Sequence, residues 1–426
     1  MKLLLKNCFI LDGTLNMEVK ENYQILIEDE IIKKIDTEIN EKVDRIIDLK
    51  NAYVLPGLIN MHVHLPASGK ITKKKAADQK KLIKFICSNP LTRKIGVNIG
   101  AKYAKMELLS GVTTLRAVGG IDNFDSTLAN LINKNKKVGP RILAANVAIG
   151  VKNGHMDGTV AKGCDTIDEA VKMVENAKAN NASLVKLMIT GGVLDCKERG
   201  TVGVLKMPPS MVKACCDKAH ELGFKVAAHV EGSKGMEVAI NNGVDTIEHG
   251  ADVSDELLKK FKERNGALIC TLSPAMPLAK IDYNKLGYDE LAQYNTKVLL
   301  KGMINVVNKC LKENILVGLG TDTGCPLVTH YDMYRELIYF AKYIDGVTNS
   351  FAIHTATEIN AKILDIDNIT GTIKENKVAD MMIVKDNPLI DLKALKNPLF
   401  VIARGKVYTK PNKKYNDVEK ELNSIL

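Results

Sequence analysis

No apolar run in the 426 residues approaches the length of a membrane span, so a membrane-embedded chain is not expected. The opening Met1-Lys2-Leu3-Leu4-Leu5-Lys6 is too short an apolar stretch for a signal peptide. There is no CxxC pair. The nine cysteines are odd in number and irregularly placed, at 8, 87, 164, 196, 215, 216, 270, 310 and 325. This fits free thiols in a reducing cytoplasm. No element gathers basic residues beside aromatic platforms, as a nucleic-acid reader would need. The net charge of +10 comes from lysines spread along the chain. The densest run, Lys70, Lys73, Lys74, Lys75, Lys80, Lys81 and Lys84, reads as a solvated helix or loop. Repeats of the solenoid kind are also missing.

What is present is ordinary for a globular protein: 46% hydrophobic and 26% charged residues. The length exceeds a usual single core, so one large domain plus a smaller one is expected. Residues 1–56 read as short strands, Leu3–Ile10, Tyr23–Glu28, Ile31–Ile35 and Ile46–Asp48. After residue 366 the strand texture returns, with Gly371–Ile373, Ala379–Val384 and Leu399–Ala403, before a polar tail ending in a short surface helix. The two ends are expected to form one small β-sandwich domain, 1–56 with 366–426.

Between them, residues 57–365 alternate apolar β-branched runs with amphipathic stretches. Eight strands are expected, at Leu58–His64, Val112–Ala117, Arg141–Ala145, Leu184–Met188, Val226–His229, Thr246–His249, Ala267–Cys270 and Leu316–Gly320. Helical patterns such as Ile167–Asn180, Ser210–Leu222 and Leu299–Glu313 separate them. This is the pattern of an α/β protein built as a (β/α)8 TIM barrel, whose chemistry sits at the carboxyl ends of the strands.

The polar residues collect at those ends. His62 and His64 close the first strand and, two residues apart, point the same way. Lys186 interrupts the apolar fourth strand. His229 closes the fifth, His249 the sixth, and Asp322 follows the eighth. Neutral imidazoles and a carboxylate suit zinc-like ions. A buried lysine has a lowered pKa, and its neutral amine can add to CO2 to give a carbamate that bridges two metals. Two close divalent ions acidify a water held between them, and Asp322 can carry its proton to a leaving group.

With these residues the chain resembles the amidohydrolase superfamily, in particular the imidazolonepropionase-related branch that includes Xaa-Pro dipeptidases (prolidases) and carboxypeptidases. The likeness runs from Val54-Leu55-Pro56-Gly57-Leu58-Ile59-Asn60-Met61-His62-Val63-His64 through Gly111-Val112-Thr113-Thr114, Val185-Lys186, Ala228-His229, Ile247-Glu248-His249-Gly250 and Gly320-Thr321-Asp322, to Gly371-Thr372-Ile373, Ala379-Asp380 and Asn387-Pro388-Leu389. It implies that His62 and His64 hold a first divalent metal, expected to be zinc. N-carboxylated Lys186 would bridge both metals, and His229 with His249 would hold the second. Asp322 would ligate the first metal and act as general acid/base. It implies that His155, in Asn153-Gly154-His155-Met156-Asp157-Gly158, polarises the substrate carbonyl.

The implied activity is hydrolysis of a C–N bond in a small amide, such as a dipeptide or N-acyl amino acid, by a metal-bridging hydroxide. A cyclic-amide hydrolase (imidazolonepropionase-like) or a deaminase is the alternative. Lys186 favours the first, because deaminases of the superfamily usually run on one metal without that lysine. A scaffold that lost catalysis is disfavoured by the full ligand set. A cytoplasmic homo-oligomer acting on a small-molecule substrate, with no nucleic acid or membrane partner, is expected.

Three departures bear on substrate. The branch's Thr-Thr-x-Arg-Asp is Thr113-Thr114-Leu115-Arg116-Ala117 here, and Val230-Glu231-Gly232 follows His229 where some dipeptidases have a Tyr. The lid-like stretch Pro66–Pro90 is lysine-rich. The loop Gly191–Asp195 is expected to line the pocket, and Arg199, His330 and Tyr331 are candidates to grip a substrate carboxylate, Arg199 foremost for its bidentate fork.

Overall fold

The computed structural model describes residues 1–70, 76–410 and 414–426. The first strands form by simple alternation. In β1 (Lys2–Ile10), Leu3 and Leu5 face one side and Leu4 the other. Antiparallel β2 (Lys20–Glu28) matches them, with Leu3 opposite Ile27, Leu5 opposite Ile25 and Leu4 opposite Leu26. β3 (Ile31–Asp36), β4 (Arg45–Asp48) and β5 (Tyr53–Pro56) follow.

From β5 the chain passes through Gly57 directly into β6 (Leu58–Val63), which pairs in parallel with β7 (Val112–Ala117), and β7 with β8 (Arg141–Ala144). A second parallel sheet comprises β9 (Ala148–Val151), β10 (Ala161–Cys164), β11 (Val185–Met188), β12 (Val226–Val230), β13 (Thr246–His249), β14 (Ala267–Cys270) and β15 (Leu316–Leu319). Its order is β10-β9-β11-β12-β13-β14-β15. Backbone bonds link the two sheets at both margins. Ser183 N donates to Ala144 O at 2.7 Å between β8 and the start of β11. Beyond β15, Asp322 N donates to His62 O at 2.9 Å and His64 N to Thr323 O at 2.8 Å.

Every residue of β6, β7, β11, β12, β13 and β14 is buried, as parallel strands covered on both faces require. Amphipathic helices supply the cover. The helix Glu290–Lys312 buries Leu299, Met303, Val306, Val307 and Cys310 along one stripe. Gly243, with φ +105, ends the helix Ser233–Asn242 in left-handed backbone that glycine adopts freely.

The chain's end returns to the first sheet as β16 (Met381–Val384), β17 (Phe400–Ala403) and β18 (Lys406–Tyr408). Together they form one mixed sheet of order β18-β17-β16-β5-β1-β2-β3, with β4 paired to β1.

Several elements differ from the sequence expectation. Gly371–Ile373 is not a strand; it is an irregular segment anchored by Ile373 N to Asp12 O at 2.9 Å. β5, β9, β10 and β18, of three or four residues each, are not among the expected strands. The terminal helix, Asn416–Asn423, is more than a surface element, since Val418 and Leu422 are buried against Leu278, Ile281, Leu286 and Leu327. Lys73, Lys74 and Lys75 of the lysine-rich stretch lie outside the described residues. Among the described residues no helix is long and apolar enough to cross a membrane.

Candidate metal centre

The parallel strands bring the polar residues named above to one end of their sheets. His62 and His64 lie on the same side of β6 with ring centroids 5.2 Å apart, as alternation demands. Their Nε2 atoms stand 3.4 and 3.2 Å from Asp322 Oδ1. His249 fills the gap between His62 and His229, with centroids at 4.9 and 4.8 Å. His249 and Asp322 both adopt left-handed backbone, with φ +67 and +56. That conformation costs about 1–3 kcal/mol for such residues and is held only by surrounding structure.

Among the described residues, two clusters have donor atoms within 4.8 Å of one another: His62, His249 and Asp322, and His229, Glu231 and His249. His64 approaches Asp322 without joining either cluster. Lys186, 1% exposed, extends from β11 among the buried groups that line the same cavity.

Burial sets the protonation states. It pulls His62 down to about 4, and His229 and His249 well below the usual imidazole range. Neutral imidazole is the form that binds metal. Burial lowers Lys186 to about 8, against the opposing pull of Glu248 and Asp322. For Asp322 burial acts upward, but the facing His62, His64 and His249 hold the carboxyl well below its ordinary value.

Lys186 Nζ and His229 Nε2 are buried with no hydrogen-bond partner among the described residues. Buried polar atoms left unpaired are rare and costly. Two orphaned nitrogens beside imidazoles and a carboxylate are the donor set of a zinc-like cation, so these residues fit a metal.

Arg116, Glu248 and Thr246 sit behind the cluster. Arg116 Nη2 donates to both Glu248 oxygens at 2.7 Å, Nη1 to Thr246 Oγ1 at 2.9 Å and Nε to Met61 O at 2.7 Å. Glu248 Oε2 in turn lies 2.8 Å from His62 Nδ1. Burial works against the Glu248 carboxylate, yet Arg116 and Lys186 hold its pKa below the usual range. His249 Nδ1 meets Thr271 Oγ1 at 2.7 Å, and His64 Nδ1 meets Gly119 O at 2.8 Å. Such partners fix which ring nitrogen faces a metal. Glu248 as the His62 partner was missed, although an acidic residue in an apolar strand signals a buried cation elsewhere, here Arg116.

His155 stacks on His229 at 4.3 Å, and its Nδ1 lies 2.6 Å from Asp195 Oδ2. Asp195 also accepts from Gly192 N at 2.9 Å. Both His155 and the Gly192–Asp195 loop line a cavity of about 730 Å³ over the centre. Its outer wall is apolar, with Leu82, Ile83, Val97, Phe124, Leu128 and Leu278. Asp125, 2% exposed, lies in that wall with Oδ2 unpartnered, and burial pushes its carboxyl up to about 7.

The three candidates for a carboxylate grip do not line the cavity. Arg199 lies at the surface, paired with Glu290 at 2.7 Å. His330 is buried on Tyr103, with Nε2 2.7 Å from Ala67 O. Tyr331 accepts from Tyr415 N at 2.9 Å through its hydroxyl.

Residues 53–409 match the family model described as "Amidohydrolase family". The ochratoxinase of Aspergillus niger is 24% identical over 328 residues, or 70% of this chain. This chain spans 66% of the length of that relative. A 5-methylthioadenosine/S-adenosylhomocysteine deaminase of Dictyoglomus thermophilum is 26% identical over 421 residues, covering 91% of this chain and 85% of its own length. Among solved structures, a Xaa-Pro dipeptidase with bound methionine in the active site superimposes with a TM-score of 0.82 at 28% identity, covering 96% of this chain and 100% of the other.

Proposed function

The chain belongs to the amidohydrolase family, and from that premise we propose that it hydrolyses the C–N bond of a small amide, a dipeptide or N-acyl amino acid, at a centre for two divalent cations. Residues 57–365 are taken as a (β/α)8 TIM barrel, and 1–56 with 366–426 as a small β-sandwich domain. The likeness to a Xaa-Pro dipeptidase and to an ochratoxinase supports the substrate class.

In this reading His62, His64 and Asp322 would hold one cation and His229 and His249 the other, with Lys186, as its carbamate, a further ligand. Zinc suits the ligand types. When bound, the pair supplies an acidified water and a Lewis acid for the carbonyl oxygen. His155, held by Asp195, presents its free ring nitrogen to the cavity and steadies the carbonyl oxygen as it gains charge. Asp322 moves a proton from the attacking water to the leaving nitrogen. The apolar wall excludes competing water.

The observation that carries this reading is the burial of Lys186 Nζ, without a partner among the described residues, beside three buried imidazoles and Asp322. A screen of zinc-loaded protein against dipeptides and N-acyl amino acids tests it; no hydrolysis of any member would overturn it. Deamination is the second reading, favoured by the likeness to the deaminase. Release of ammonia from adenine nucleosides would select it.

A further inference from the structure

Glu231 has no place in the ligand set implied by the family resemblance. It follows His229 by two positions, one residue past the end of β12. The Glu231 side chain is 10% exposed, and its Oε1 lies 3.9 Å from His229 Nε2. Donor atoms of Glu231, His229 and His249 all fall within 4.8 Å of one another. Glu231 Oε2 and His229 Nε2 are both buried without a hydrogen-bond partner among the described residues. No lysine or arginine forms an ion pair with this carboxyl among the described residues; its nearest ionisable partner there is His229, at 3.9 Å.

The backbone under Glu231 is fixed. Its N–H donates to Thr190 Oγ1 at 3.1 Å. Gly203, with φ +68, packs so closely that a Cβ there would stand 2.2 Å from the Glu231 carbonyl carbon. A carboxyl carried on a fixed backbone in a buried site, facing two imidazoles and lacking a cationic partner among the described residues, is arranged for a cation.

We propose that Glu231 is a further protein ligand for the second divalent cation, beside His229 and His249. The proposal rests on the two-cation reading above. It gives the two cation positions the same complement, two imidazoles and one carboxylate each, and the added anionic ligand tightens the position it serves.

The test strips the full chain with a chelator, adds back Zn²⁺, and measures bound equivalents and affinities by chelator competition. Co²⁺ is then substituted to read the coordination by visible absorption. Glu231→Gln keeps the shape and removes the charge. It should weaken one of the two cations by at least about 10-fold, leave the other, and change the Co²⁺ spectrum. Glu231→Asp, which keeps the charge, should recover part of the lost affinity. Wild-type affinities and an unchanged Co²⁺ spectrum in Glu231→Gln would overturn the proposal and leave the two-cation reading standing. Intact cation binding with a raised KM for ammonium-bearing peptides would also overturn it, assigning Glu231 to substrate. A wild-type chain that binds no Zn²⁺ would overturn the two-cation reading itself.

Discussion

Glu248 ties Arg116 to His62: one carboxylate takes the guanidinium at 2.7 Å and the imidazole Nδ1 at 2.8 Å. All three side chains are buried, at 2% exposure or less. The ion pair therefore does two jobs, fixing the His62 tautomer and satisfying a buried cation. Glu248→Gln should leave Arg116 without its charge partner, destabilising the fold by about 3–5 kcal/mol. It should also weaken cation binding by roughly 10–100-fold. Denaturant unfolding and chelator competition measure these; unchanged values in both would remove Glu248 from this role.

Lys186 gives a pH signature. Only the neutral amine adds to CO2, and burial brings its pKa to about 8 from 10.5. At fixed dissolved CO2, the neutral fraction rises from roughly a tenth at pH 7 to roughly nine tenths at pH 9. Cation loading of stripped protein should follow that rise, with the carbamate read by carbon NMR after labelling. The unmodified chain should also gain stability as pH climbs from about 8 to 10.5, where the unfolded chain still holds the proton and the folded one does not. A flat loading profile would argue against the carbamate, as would a Lys186→Ala variant that keeps both cations unaided.

Asp322→Asn should lower kcat by about 100- to 10,000-fold even at saturating cation, because an amide cannot relay the proton. Parallel turnover and metal-content measurements check this. Wild-type turnover would exclude Asp322 from the proton path.

The terminal helix Asn416–Asn423 should be needed for stability. Arg335, 1% exposed, pairs with Asp332 and also donates to Glu419 at 3.0 Å and Asn423 Oδ1 at 2.9 Å. Removing residues from 414 onward strips two of these partners and uncovers Leu278 and Leu327. A loss on the order of 3–5 kcal/mol is expected from the partly unpaired guanidinium and exposed apolar surface. An unchanged unfolding midpoint would show that the helix is dispensable.

The sequence made the strand-end residues readable because a parallel strand buried on both faces has little room for polar side chains. His62, Lys186 and His249 stood out against apolar neighbours for that reason. The same contrast marked Glu248, but its partner lies on β7, which does not adjoin β13, so only the folded sheets reveal the pair. Arg199, His330 and Tyr331 looked available because sequence does not say which way a loop turns its side chains. Glu231 registered only as a missing tyrosine; its closeness to His229 and His249 is visible only in the folded site. β9 and β10 escaped notice because four-residue strands containing Gly150 and Gly163 carry too little pattern.

β5 leads straight into the histidine-bearing β6, and β5 is bracketed by β1 and β16. A chain made from its amino end exposes His62 and His64 early, yet the flanking edge of β5 stays bare until Met381–Val384 has left the ribosome. Stalled translation products ending before residue 381 should thus be prone to edge-to-edge aggregation and retain zinc poorly, whereas released chains should not; equal zinc retention by both would show that the capture of cations does not wait for the last strands.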